Sequence, residues 1–113
     1  MIQQEISIEE ASIKLNESEN LFTELFQHGT LSVEFYKPNK VDLQKPHDRD
    51  EIYVIASGTG VFLNGGKSWY FKTGDFLFVP AGVEHKFENF SDDFSTWVFF
   101  YGPVGGEKNN IIG

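Results

Sequence analysis

The chain has 113 residues, enough for one domain with a single core, and 40% of them are hydrophobic, including twelve phenylalanines; this favours a packed globule over a disordered chain. Nine basic residues against seventeen acidic ones leave a net charge of -8, a field that repels phosphate backbones and anionic lipid and so excludes nucleic acid and membrane surfaces as partners. Without cysteine, disulfides, thiolate nucleophiles and thiolate metal sites fall away, leaving nitrogen and oxygen as metal donors. No apolar run approaches the length of a spanning helix, and the N-terminus lacks a basic-then-apolar leader, so a cytoplasmic location is expected.

Along the chain, Ser7-Ile8-Glu9-Glu10 reads as a capping box. Ile8, Ala11 and Leu15 recur at helical spacing and predict a short helix over roughly residues 8 to 15, its apolar stripe covering an open end or edge of a sheet. From Leu21 the period switches to that of strands. Leu21 to Phe26 and Leu31 to Tyr36 form a predicted hairpin across Gln27-His28-Gly29-Thr30. A strand over Ile52 to Ile55 runs toward Gly58, and Val61 to Leu63 and Trp69 to Phe71 flank Asn64-Gly65-Gly66, a tight-turn signal. Phe76 to Val79, His85 to Phe90 and Phe94 to Tyr101 supply the last strands. Short strands at regular spacing with glycine turns predict an all-β antiparallel jelly-roll barrel with a short N-terminal helix, one domain over residues 1–113. The last strand is apolar on both faces, which predicts burial against a second sheet or a second chain, hence a homodimer. Residues 102–113 read as a flexible tail or an arm on a partner subunit.

Two stretches carry chemistry. Gly74, Pro80, Gly82, His85 and Asn89 join a turn glycine, an apolar strand, a Pro-x-Gly corner and a histidine within residues 74–89. His47, Glu51 and Gly58 mark a second stretch, about residues 45–60. On a strand, alternate residues share a face, so His47, Glu51, Tyr53 and Ile55 form one set and His85, Phe87 and Asn89 another. If both sets point inward, His47, Glu51 and His85 meet as ligands for one divalent metal ion. Two histidines and one carboxylate suit non-haem iron(II), and zinc, manganese, nickel and cobalt accept the same donors. Asp48 and Asp50 are rival carboxylates, and parity favours Glu51. Arg49 has the parity to reach the pocket and clamp a carboxylate, and Tyr53 and Tyr101 are candidate substrate contacts through their hydroxyls. His28, in a glycine turn, is set aside as a ligand.

Together these stretches resemble the two motifs of the cupin superfamily, in its small single-domain bacterial form. Every position of the second motif is matched, whereas the first histidine of the first motif falls on Lys45. The resemblance implies a jelly-roll barrel around a metal, and a family of isomerases, dioxygenases, decarboxylases, sugar-binding modules and storage proteins. A protonated lysine has no lone pair to give, so either the metal keeps three protein ligands or Gln44 or water fills the fourth place. More open positions would suit bidentate attachment of a hydroxy or keto acid. The function expected is therefore metal-dependent handling of a small molecule in the barrel, as oxygenase, isomerase or lyase. The rival is a non-catalytic module for a sugar or carboxylate, with a structural metal or none.

Overall fold

The computed structural model describes residues 3–108. Ser7 caps α1 (Ile8–Ser18), its hydroxyl accepting from the Glu10 backbone N–H at 3.1 Å. The helix runs past the expected end and stops where Glu19 adopts a left-handed conformation, φ 59°. Ala11 and Leu15 bury against Phe35, with Leu25, Ala56 and Trp97 packed around them. The helix thus covers the outer face of a sheet, not the open end or edge expected of it, because that face is itself apolar.

Eight strands follow: β1 (Phe22–His28), β2 (Leu31–Tyr36), β3 (Asp50–Ser57), β4 (Thr59–Asn64), β5 (Lys67–Lys72), β6 (Phe76–Val79), β7 (His85–Glu88) and β8 (Ser95–Tyr101). They pair antiparallel in a five-stranded sheet, β1-β2-β8-β3-β6, and a three-stranded sheet, β5-β4-β7. The class is the predicted one. The sheets pack face to face without closing into a continuous barrel, and their core joins Tyr36, Tyr53, Ile55 and Val98 to Phe62, Phe71 and Phe87. At the β4–β5 turn the positive φ values fall on Gly65 and Gly66, while Asn64 still pairs with Lys67. The turn sits one residue later than the Asn-Gly signal suggests, since two glycines supply both left-handed positions at no steric cost.

The apolar strand β8 lies inside the sheet, between β2 and β3. Val98 enters the core between the sheets and Trp97 packs in the helix-side cluster, so both apolar faces are covered within the chain. Large apolar side chains are exposed instead on β5 and β6, at Trp69, Tyr70 (91% exposed), Phe76 and Phe78.

Between β2 and β3 runs a long loop holding Asp42, Gln44 and His47. Backbone hydrogen bonds fix it. Gly82 N–H donates to the His47 carbonyl at 2.7 Å and Gly105 N–H to that of Asp48 at 2.7 Å. Asp50, buried on the outer side of β3, accepts from the N–H groups of Ala81 (3.0 Å) and Glu107 (2.8 Å). The first residues of the expected tail are therefore tied to the start of β3, and residues 109–113 lie outside the described residues. Gly58, at φ 96°, has no room for a side chain: a Cβ would stand 2.6 Å from the Phe94 Cα. No helix among the described residues is long and apolar enough to cross a membrane.

Candidate metal centre

Alternation along β3 buries Glu51, Tyr53 and Ile55 on the inner face, and His85 and Phe87 do the same at β7. His47 precedes β3, so strand parity does not place it. Its loop carbonyl is held by Gly82 of the Pro-x-Gly corner, which couples the two sequence stretches through one backbone hydrogen bond. The structure brings together His47, Glu51 and His85, each offering a donor atom within 4.8 Å of the others. His85 Nε2 stands 3.1 Å from Glu51 Oε1, and His47 Nε2 3.9 Å from the same oxygen. Donors sharing an ion at about 2.0 to 2.2 Å stand roughly 2.8 to 3.6 Å apart; the first pair fits and the second is slightly open.

The His85 Nδ1–H donates to the Val83 carbonyl at 3.0 Å, which turns Nε2 inward, a metal donor whenever the ring is neutral. Tyr53 donates its one proton to Gln44 Oε1 at 2.9 Å and turns its oxygen toward His85 Nε2 at 3.1 Å. Glu51 is 0% exposed, and neither carboxylate oxygen has a hydrogen-bond partner among the described residues. Its Oε1 stands in ion-pair range of His85 Nε2. Burial pulls the His85 pKa down, but contact with Glu51, the Val83 carbonyl and the Asp42 charge outweigh it and raise the pKa above the ordinary value. Burial first, then the Glu51 charge, drive Tyr53 well above the ordinary phenol range, so it stays a donor. With His85 neutral, the acceptors that converge here outnumber the protons among them. This donor set fits a cation.

His47 and Glu51 line an open cleft of about 510 Å³. Its walls are apolar at Leu21, Phe22, Leu43, Val98 and Phe100, and polar at Gln44 and Glu34. Burial, then the charges of Glu24 and Glu51, raise the Glu34 pKa. Glu34 is the single acid in the apolar run Leu31–Tyr36, a signal legible in the sequence, and it is absent from the expected site residues. Asp42, buried in the loop, is absent from them too, and no local pattern marks it. Asp42 accepts from Tyr36 O–H (2.6 Å), Gln44 N–H (3.1 Å), Gln44 Nε2 (2.9 Å) and Phe87 N–H (2.8 Å).

Of the predicted substrate contacts, Tyr53 reaches the centre. Arg49 does not line the cleft: its guanidinium donates to the Thr30 carbonyl at the β1–β2 turn. Tyr101 ends β8 opposite Asp50, away from the cleft lining. Lys45 is exposed and borders a second cleft, of about 590 Å³, which Gln44 and His85 also line together with Lys67 and Lys86. Asn89 is exposed and takes a left-handed conformation, φ 49°, so its job is to turn the chain after β7.

Residues 32–101 match the cupin domain family, and the chain belongs to it. It is 32% identical over 88 residues to an uncharacterized protein of Streptomyces coelicolor, covering 76% of this chain and 84% of that one. It is 41% identical over 51 residues to the oxalate-binding protein of Thermotoga maritima, covering 45% of this chain and 42% of that protein, less than half its length. A cupin 2 conserved barrel domain protein from Leptotrichia buccalis shares the fold with a TM-score of 0.62 at 19% identity, over 72% of this chain and 40% of that one.

Proposed function

We propose that His47, Glu51 and His85 hold one divalent cation and that the centre captures a small oxygen-rich molecule from the adjoining cleft. The observation that carries this is the Glu51 carboxylate, wholly buried beside two imidazoles with neither oxygen hydrogen-bonded among the described residues. An isolated buried carboxylate costs several kcal/mol, and a cation removes that cost. Iron, manganese, zinc, nickel and cobalt all accept this nitrogen and oxygen set. One anionic ligand against a doubly charged ion leaves net positive charge at the centre, which favours a carboxylate with a second oxygen able to chelate. The name of the Thermotoga relative, an oxalate-binding protein, supports that ligand class. Oxygenation, isomerisation and decarboxylation each begin from such a captured state.

Elemental analysis of untagged protein, with calorimetric titration of manganese, cobalt and zinc, tests the centre. One ion per chain is expected, and none in His85→Ala; full metal retention in that variant would remove His85 from the ligand set. Thermal unfolding with oxalate, glycolate, pyruvate or simple sugars then tests the ligand class. At a hundredfold excess over Kd the right ligand adds about 2.7 kcal/mol, and only to the metal-loaded protein.

A second reading rests on the 3.1 Å approach of His85 to Glu51. A protonated His85 would balance the carboxylate without metal, giving a non-catalytic binding module. Metal-free protein that binds a small carboxylate or sugar unchanged in chelator would favour it. The proposal includes a homodimer, and the exposed aromatics of β5 and β6 support an interface there. Light scattering of wild type against Tyr70→Lys checks this, with a dimer mass lost in the variant as the supporting result.

A further inference from the structure

We infer that the amide oxygen of Gln44 is a fourth protein ligand of the centre, and that Asp42 is the residue that positions it. This rests on the metal centre proposed above and deepens it at the position where the chain carries Lys45 in place of the first motif histidine.

The orientation of Gln44 is decided by its neighbours. Its Nε2 donates to Asp42 Oδ2 at 2.9 Å and its backbone N–H to Asp42 Oδ1 at 3.1 Å. A carboxylate only accepts, so the amide nitrogen must face Asp42 and the amide oxygen must face the other way. There Oε1 meets His47 Nε2 at 3.4 Å. That is long for a hydrogen bond. It is the spacing of two donors on one ion, about 2.8 to 3.6 Å by the same geometry that suits His85 and Glu51.

Tyr53 leaves room for this role. An amide oxygen has two lone pairs. The Tyr53 hydroxyl occupies one at 2.9 Å and at the same time stands 3.1 Å from His85 Nε2, so a single phenol ties two of the donors together. The second lone pair of Gln44 remains for a cation. Lys45 is exposed, so Gln44, three residues before His47 on the same loop, takes the vacated place without needing Lys45 to turn inward.

Two consequences follow for the chemistry. Four protein donors on a six-coordinate ion leave two positions, enough for one chelating ligand and no more. A neutral carbonyl oxygen in place of an imidazole also shifts preference toward harder ions such as manganese and away from nickel or copper.

The test is calorimetric titration with Mn²⁺ and Co²⁺, read together with the visible spectrum of the Co²⁺ form, on wild type, Gln44→Leu and Gln44→Glu. Gln44→Leu should still bind one ion, about tenfold or more weakly, in the range for a lost donor or its support, with an altered Co²⁺ spectrum. Gln44→Glu keeps an oxygen donor but turns an acceptor on Asp42 where the amide nitrogen donated, so its metal-free form should melt lower while it still binds one ion more tightly than Gln44→Leu. Circular dichroism and the metal-free melting temperature show that each variant folds. Wild-type affinity and an unchanged Co²⁺ spectrum in Gln44→Leu would overturn the Gln44 assignment while leaving His47, Glu51 and His85 in place. Failure of wild type to bind either ion would overturn the centre itself, and Gln44 with it.

Discussion

Asp42 and Glu51 are both buried acids close to the same tyrosine-lined interior, and their surroundings are opposite. Asp42 sits in the loop before β3 and accepts four hydrogen bonds, from Tyr36 of one sheet, Phe87 of the other and two groups of Gln44. Glu51, on β3, is 0% exposed and accepts none among the described residues. A buried charge that is fully hydrogen-bonded is explained by structure alone. One left without hydrogen-bond donors and faced by two imidazoles calls for a positive charge beside it, a bound cation or a protonated His85. The contrast separates an acid with a structural job from the acid proposed to hold the cation.

The sharpest way to break that contrast is Asp42→Ala. It leaves the Tyr36 hydroxyl and the Phe87 N–H buried without acceptors and frees Gln44. We expect a loss of about 3 to 5 kcal/mol, from stranded donors at 1 to 3 each, measured by urea unfolding of metal-free protein. A loss below about 1 kcal/mol would mean that water replaces the carboxylate easily and that Asp42 is not the clip between the sheets.

Glu51→Gln asks the converse question. If Glu51 is an uncompensated charge in the metal-free protein, removing the charge stabilises that form by about 1 to 2 kcal/mol while abolishing stoichiometric metal uptake. If a protonated His85 already balances Glu51, the same change costs stability instead. The sign of the shift in urea midpoint in chelator, set beside metal uptake, therefore chooses between the metal centre and the metal-free binding module.

Much of this frame could be read in advance. The strands announced themselves through alternation and glycine turns, and Glu51 was preferred to Asp50 because inner and outer faces alternate on β3; Asp50 in fact spends both oxygens on backbone N–H groups. His47 was selected through a strand parity it does not obey. Arg49 shares its parity with Glu51 but lies before β3 begins, and there the loop sends it to the Thr30 carbonyl. The role of Asp42 was not legible because its partners lie on β2 and β7, far apart in sequence and joined only by the fold. The helix was legible as an element and not in its docking face, since Trp97, Phe35 and Ala56 meet on the outer sheet surface only after β8 has inserted between β2 and β3.

The smallest expected effect concerns a third acid, Glu34, which lies between the two extremes. It is half-buried in the cleft wall and faces Glu24 across the β1–β2 pair. Burial, then Glu24 and Glu51, raise its pKa above 4.5. A carboxyl raised on folding lends stability that is complete below the unfolded pKa and is lost as pH climbs through the folded one. Above its folded pKa the ionised Glu34 thus opposes folding. Glu34→Gln should stabilise metal-free protein at about pH 8 by under about 1 kcal/mol, the scale of like charges opposed across strands, and the gain should vanish as pH falls below that of free glutamate. Metal binding neutralises part of the Glu51 charge, so the gain should also shrink in the loaded protein. Thermal melts across pH, with and without metal, check both trends. A gain that is indifferent to pH would assign the effect to packing, and one that is indifferent to metal would uncouple Glu34 from the charge at Glu51.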